Sequence, residues 1–158
     1  MSAKSGAKKQ QENNYYRLLA KSSRDIIMTQ DVLGKIIYVN PAWTEITGYS
    51  AEETEGKRVV DFISPEYIKG LEERHIERKA GSKEVYSYET EIKNKDGGKT
   101  PLEVRSTPVV SGDGKFEEIL LIGRDLRARK AAKQVLVESE VSYSDLFNSI
   151  EDAIYIQD

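Results

Sequence analysis

The side chains that carry most enzyme chemistry are sparse in this sequence, which has one histidine, His75, and no cysteine. A thiol nucleophile, a thiolate zinc site, an iron–sulfur cluster and a disulfide framework are therefore excluded. One imidazole makes a structural metal site improbable. No Gly-rich phosphate loop of the P-loop or dinucleotide type occurs, and no Ser/His/Asp order gives the single histidine a specific catalytic setting. His75 sits in a charged run with Glu72, Glu73, Arg74, Glu77 and Arg78, spaced with Ile68 and Leu71 on one helical face. A half-buried or solvated histidine is the simpler account of it. The acidic residues fall mostly in this run and at alternating strand positions, where solvation explains them, so the segment reads as non-enzymatic.

The elements that must position the remaining candidates follow from the hydrophobic pattern. Residues 1–9 have no such pattern and are expected to be disordered or vector-derived. From Gln10 to Ser23 the spacing of Tyr15, Leu18, Leu19 and Ser22 predicts an amphipathic helix. Two apolar runs, 26–30 and 35–39, flank Asp31-Val32-Leu33-Gly34 and predict a β-hairpin. Asn40 then serves as an N-cap and Pro41 as a first helical residue of a short helix ending at Gly48. Ser50-Ala51-Glu52-Glu53 has the form of a capping box, and Ser64-Pro65-Glu66 opens the longest helix of the middle region, reaching Gly81.

After Gly81 the period changes to two. Tyr86, Tyr88, Thr90 and Ile92 share one strand face, Leu102 and Val104 share a face of the next, and turns at Asp96-Gly97-Gly98 and 111–114 make a three-stranded antiparallel meander ending at Asp125. Its last strand is apolar on both faces, Ile119 and Leu121 pointing one way and Leu120 and Ile122 the other. Such a strand is expected to be covered on both sides. The middle helices can cover one; the N-terminal helix of the same chain, or a second copy in a homodimer, can cover the other. Beyond Asp125 a run without Gly or Pro predicts a helix, in which Ala128, Ala131, Val135 and Val141 form an imperfect heptad seam.

The end of the chain resembles its beginning. Shifted by 127 positions, residues 142–158 align without a gap on 15–31, and seven of seventeen positions are identical, among them Tyr16/Tyr143, Leu19/Leu146 and Asp25/Asp152. Random pairing gives roughly one match, so an internal repeat is expected. With 24 basic and 27 acidic residues, nothing in the balance of charge points to nucleic acid or an anionic membrane, and no basic aromatic platform for nucleic acid is present. No apolar run approaches the roughly 18 residues of a membrane span, and the polar start lacks the apolar segment of a secretory signal. The segment is expected in the cytoplasm, with membrane anchoring of a longer parent left open.

The strings DVLGKIIYVNPAWTEITGYSAEETEGK, NKDGGKTPLEV and GRDLRARKAA, in this order and spacing, resemble a PAS domain, the sensory module of bacterial and archaeal signalling proteins. The resemblance covers Tyr15 to Arg129. It implies an α+β, profilin-like fold: a five-stranded antiparallel sheet curled around a small pocket, helices on one face, an N-terminal flanking helix and a C-terminal exit helix. The division it implies is a PAS domain with its N-terminal helix over 10–126, a helical linker over 127–141, and the truncated start of a second PAS repeat over 142–158. It further implies a module of a sensor histidine kinase that senses a small ligand, with adjacent PAS and effector domains in the parent chain. A diguanylate-cyclase-type receptor is the other setting, and a dimerisation module with a filled, ligand-free interior is the other function.

Pocket candidates on this basis are Met28 and Val39 from the hairpin, Trp43, Ile46 and Tyr49 from the helix after Asn40 and its end, and Phe62 and Leu71 further on. Tyr88, Leu102, Val104 and Leu121 are the candidates from the meander. A well-packed core is an equally good account of Trp43. No cofactor is required. The absence of cysteine excludes a covalent flavin adduct and a coumaroyl thioester, non-covalent flavin stays open, and haem would have only His75 as its axial ligand. The family often ends its last strand with Asp-Ile-Thr, a joint that couples the domain to the exit helix. Here the triad is Asp125-Leu126-Arg127, so Asp125 is the candidate output joint and the threonine contact is absent.

Overall fold

The computed structural model describes residues 2–156. Two compact units divide the chain between Asp125 and Leu126. The first contains helix α1 (Ser2–Ser22), strands β1 (Ile26–Asp31) and β2 (Ile36–Val39), helices α2 (Pro41–Thr47) and α3 (Ala51–Thr54), a 3-10 turn (Val59–Asp61), helix α4 (Pro65–Lys79), and strands β3 (Tyr86–Lys93), β4 (Lys99–Val110) and β5 (Phe116–Asp125). The second is helix α5 (Arg127–Ile156).

All five strands form one antiparallel sheet in the order β2-β1-β5-β4-β3. The predicted hairpin and meander are both present, and they are joined by the pairing of the first strand with the last, from Ile26↔Gly123 to Asp31↔Glu118. This central position explains why β5 is apolar on both faces. The two prolines of β4 lie where it has one neighbour only. Pro101 pairs with Glu91 of β3, beyond the first β5 pair at Leu102, and Pro108 pairs with Ile119 of β5, beyond the last β3 pair at Ser106. A missing amide hydrogen is tolerated at such edges.

The inner face of the sheet buries Ile26, Met28, Ile92, Leu102, Val104, Ile119 and Leu121 against Trp43, Val59, Phe62 and Ile63, with Ile68 and Leu71 of α4 packed on this cluster. The hairpin turn needs Gly34, whose φ of 78° lies in the left-handed region. Asp31 Oδ1 fixes the same turn by accepting from the amides of Leu33 and Lys35 at 2.8 and 2.9 Å. The capping box of α3 forms as predicted, with Glu53 N donating to Ser50 Oγ and Ser50 N to Glu53 Oε2.

Several expectations need correction. Residues 2–9 are helical and belong to α1, because Ala and Lys favour a helix without any apolar stripe. Of the two covers for the outer face of β5, α1 of the same chain is not one: Tyr15, Leu18 and Leu19 remain 61%, 62% and 50% exposed, and Ile122 is 38% exposed. Helix α1 is held at its last turn, where Asn40 Nδ2 donates to Ala20 O. The repeat at the end of the chain stays helical to Ile156. Its counterparts of Ile26–Thr29 therefore form no strand here, since a strand needs ladder partners for its backbone, and Gln157 and Asp158 lie outside the described residues.

Asn40 also departs from its expected task. It occupies the N-cap position of α2 but makes no side-chain cap. Instead its Oδ1 accepts from Ile27 N at 2.9 Å, while Nδ2 donates to Ala20 O at 2.9 Å and Asp25 O at 3.0 Å. The residue is 1% exposed. An unpartnered buried backbone group costs about 1–3 kcal/mol. Asn40→Ala, which strands Ile27 N and Ala20 O and leaves Asp25 O with its bond from Ser23 Oγ at 3.1 Å, is therefore expected to lower the unfolding free energy by about 2–4 kcal/mol, measured as a shift in the urea midpoint at unchanged m-value; a loss below about 0.5 kcal/mol would contradict this account.

Candidate ligand pocket

Between the inner face of the sheet and the helices lies an apolar cavity of ≈ 40 Å³. Seven of the predicted residues line it: Met28 from β1, Trp43 from α2, Leu71 from α4, Tyr88 from β3, Leu102 and Val104 from β4, and Leu121 from β5. The other four, Val39, Ile46, Tyr49 and Phe62, belong to the hydrophobic cluster but not to the cavity wall. Phe62 meets Trp43 edge-on at 5.4 Å and Tyr49 at 4.9 Å, so these rings pack on one another and fill the space between them. Trp43 is 1% exposed, and its Nε1 donates to Thr54 Oγ1 at 2.8 Å, which donates to Ser50 O at 2.7 Å. It is both a packed core residue and a wall of the cavity.

The wall has further members. Ile26, Thr90, Ile92 and Gly123 share strand faces with predicted residues, and the period of two was the signal that could have found them. Val59 and Ile63 come from and just after the 3-10 turn, where no periodic signal exists. At Gly123 a side chain is absent where one would point inward: a Cβ there would stand 3.5 Å from Leu102 Cδ1, 3.6 Å from Ile26 Cβ and 4.0 Å from Val104 Cγ2. These are ordinary contacts, so the glycine holds space open and relieves no clash. Thr90 is 4% exposed and its Oγ1 has no hydrogen-bond partner.

A smaller polar cavity of ≈ 20 Å³ adjoins this one, sharing Leu71, Tyr88 and Leu121 and adding Gln30, Arg78 and Ser106. Arg78 is 3% exposed, and its Nη2 donates to Ser106 O at 2.9 Å. Its guanidinium lies 4.9 Å from the Tyr86 ring and that of Arg74 3.6 Å from the Tyr88 ring. Burial holds the Arg78 pKa below its usual value and raises that of the Tyr88 hydroxyl.

His75 does not line the central cavity. It borders the polar cavity and an outer cleft of ≈ 230 Å³, which also takes in Gln30, Gly34, Arg58 and Glu72. Among the described residues no group of three His, Asp or Glu side chains is placed to hold a metal ion. Asp125 closes β5 opposite Leu102 of β4, and α5 begins at Arg127.

Burial holds the His75 pKa below the usual 6.5, with Lys79 lowering it further, contact with the Val32 backbone raising it, and Arg58 and Arg78 lowering it. The unfolded chain thus binds a proton near pH 6.5 that the folded domain takes up only at lower pH. Stability from this residue is complete above the unfolded value and is lost as the pH falls through the folded one. His75→Gln should remove that share of the acid sensitivity, so that chemical denaturation at pH 7.5 and 5.5 separates variant from wild type; parallel losses in both proteins would contradict it.

Comparison with known proteins agrees with this architecture. A family model described as PAS domain matches residues 24–128. Sporulation kinase A of Bacillus subtilis (strain 168) is 31% identical over 145 residues, 91% of this chain and 23% of that protein. The C4-dicarboxylate transport sensor protein DctS of Rhodobacter capsulatus is 22% identical over 131 residues, 82% of this chain and 20% of that protein. The chain thus spans less than a quarter of the length of either relative. Among solved structures, the PAS domain of an HTR-like protein from Haloarcula marismortui superposes with a TM-score of 0.64 at 22% identity, covering 78% of this chain and 98% of that one. By its family match, its five-stranded antiparallel sheet and its sensor-kinase relatives, the chain belongs to the PAS-domain family, the sensory modules of signal-transduction proteins.

Proposed function

We propose that this PAS domain senses a small molecule in its central cavity and passes the change through Asp125 to α5, regulating the effector of a sensor histidine kinase. The observation that carries this reading is the register of the β4–β5 ladder. Leu102, a cavity wall, stands opposite Asp125, and the next inward rung pairs Val104 with Gly123, both also wall residues. A ligand that displaces this wall moves the last rung before the helix. The domain itself is non-catalytic, and kinase activity belongs to other parts of the parent chain. A diguanylate cyclase is the alternative effector, with less support from the sensor-kinase relatives.

The size of the cavity narrows the ligand. A space of ≈ 40 Å³ compares with the roughly 10–15 Å³ that one water-sized group requires, so it suits a molecule of few atoms and fits neither haem nor a flavin. For haem, His75 is also outside the cavity wall. The second reading is a dimerisation module with a filled interior. What favours it is the exposure of Tyr15, Leu18, Leu19 and Ile122, which suits a second copy packed on α1 and the outer sheet face. The dimer of this reading, without its filled interior, is compatible with the first reading as a homodimeric sensor. Among the described residues no helix is long and apolar enough to cross a membrane, and we take this module as cytoplasmic.

Two variants test the proposal. Gly123→Ala fills part of the cavity without a clash and should raise stability by about 1 kcal/mol, while weakening binding of small ligands detected by methyl NMR; unchanged binding would contradict the assignment of the site. Asp125→Ala, assayed in the parent receptor, should uncouple output while the isolated domain keeps its fold by circular dichroism. An unaltered signal response would remove Asp125 from the path. For the dimer, sedimentation equilibrium is expected to give two copies for wild type and one for Leu18→Glu.

A further inference from the structure

The polar cavity beside the central one presents donors and little to match them. Arg78 has a cationic side chain that is 3% exposed, with one hydrogen bond, to Ser106 O, and an Nε that has no partner. Ser106 is 1% exposed, and its Oγ lies by the Tyr88 hydroxyl without a hydrogen bond of ordinary geometry. Gln30, 3% exposed, directs its amide nitrogen only to the weak acceptor Met28 Sδ at 3.7 Å. Among the ion pairs of the described residues none includes Arg78. Burial opposes its charge most, Tyr88 and Tyr86 favour it, Arg74 opposes it, and Glu77 favours it, although that carboxylate is hydrogen-bonded to the Tyr86 hydroxyl.

A buried cation without a carboxylate is costly, and an apolar side chain of the same volume is often the more stable choice. A counter-charge supplied from outside removes that penalty. We infer that the Arg78–Ser106 cavity is the head-group site of a small aliphatic carboxylate, whose alkyl tail lies across Leu71 and Leu121 in the apolar cavity. This rests on the sensing reading above and names its ligand class. One carboxylate oxygen accepts from Arg78 Nε, the other from Ser106 Oγ, and the Gln30 amide completes the donor set. Charge-assisted bonds of this kind are about twice as strong as neutral ones.

Size selects within the class. The head cavity of ≈ 20 Å³ exceeds the roughly 10–15 Å³ that one water-sized group requires, which suits a planar carboxylate better than a tetrahedral phosphate or sulfonate. The adjoining ≈ 40 Å³ has apolar walls and one free hydroxyl, Thr90 Oγ1, matching the tail of acetate or propionate. The outer cleft shares Gln30, Leu71 and His75 with the head cavity and adds Arg58. Because it borders the head cavity, this cleft is the entry we assign, with Arg58 drawing an anion to it and Glu72 opposing.

The test titrates the full chain with acetate and propionate, with sodium chloride at equal ionic strength as control, following the Arg78 Nε–Hε resonance and the Leu71 and Leu121 methyl groups. Saturable shifts at all three sites with either carboxylate, absent with chloride, are expected. Affinity should fall at least tenfold in Arg78→Gln and several-fold in Ser106→Ala, the latter keeping the cation should the former not fold. No saturation by 50 mM (about a 50-fold excess over an ordinary NMR sample, the weakest end of specific binding), or equal affinity in wild type and both variants, overturns the inference. Propionamide separates this failure from that of the sensing reading. If the neutral amide shifts Leu71 and Leu121 equally in wild type and Arg78→Gln while propionate does not bind, the cavity is a sensor for another class; if neither probe binds, both readings fall.

Discussion

The carboxamide of Asn40 satisfies one amide and two carbonyls along the stretch that joins the last turn of α1 to β1, and the geometry of the domain follows from that constraint. Its bonds to Ala20, Asp25 and Ile27 fix where α1 ends and β1 begins, while its own amide donates to Ile27 O at 3.0 Å. Since Pro41 opens α2 at the next position, the same residue sets the start of the helix that carries Trp43. With β1 so placed, Ile26 and Met28 face inward and the strand meets β5 in the register that closes the sheet. Burial makes this network exacting: in a dry site each unmade bond costs more than the made bond contributes.

On that frame the interior is packed tightly at one end and loosely at the other. Trp43, Tyr49 and Phe62 interlock edge-to-face, and the Trp43–Thr54–Ser50 hydrogen-bond chain locks the indole. Towards β5 and β3, Gly123 supplies no side chain and Thr90 a hydroxyl without a partner, and the space stays open. Natural interiors rarely keep both an avoidable void and an unpaired polar atom. Their coincidence at one place argues for a site maintained for a ligand.

Much of this was legible in the sequence because the signals are local. The hairpin turn, the capping box at Ser50 and the alternation of Tyr88, Thr90, Leu102 and Val104 each depend on neighbours within a few positions. What escaped is what depends on distant partners. Asn40 carries a capping residue's signature but spends its side chain on Ala20, Asp25 and Ile27; Ser64 likewise turns its hydroxyl to Glu91 Oε1 at 2.8 Å without capping α4. Arg78 looked like one more charge in a solvated run, because helical spacing does not reveal that it lies under β4, donating to Ser106 O. Residues 2–9 escaped for the opposite reason, as helix propensity there acts without a hydrophobic face.

The relation between cavity and exit is set by the ladder. Antiparallel rungs are stiff along their hydrogen bonds, so a push on a side chain of β4 reaches β5 mainly through the facing residue. Three successive inward rungs are Ser106↔Leu121, Val104↔Gly123 and Leu102↔Asp125. Ser106 receives Arg78 from α4, Val104 and Gly123 bound the cavity, and Asp125 is the last residue of the sheet before the exit helix. The middle rung is the one without a side chain on β5, and packing there resists displacement least. A ligand bridging the Arg78 and Val104 ends would stiffen the soft rung between the α4 contact and the terminal one. On this reading the output depends on how firmly Asp125 is held as much as on where it stands.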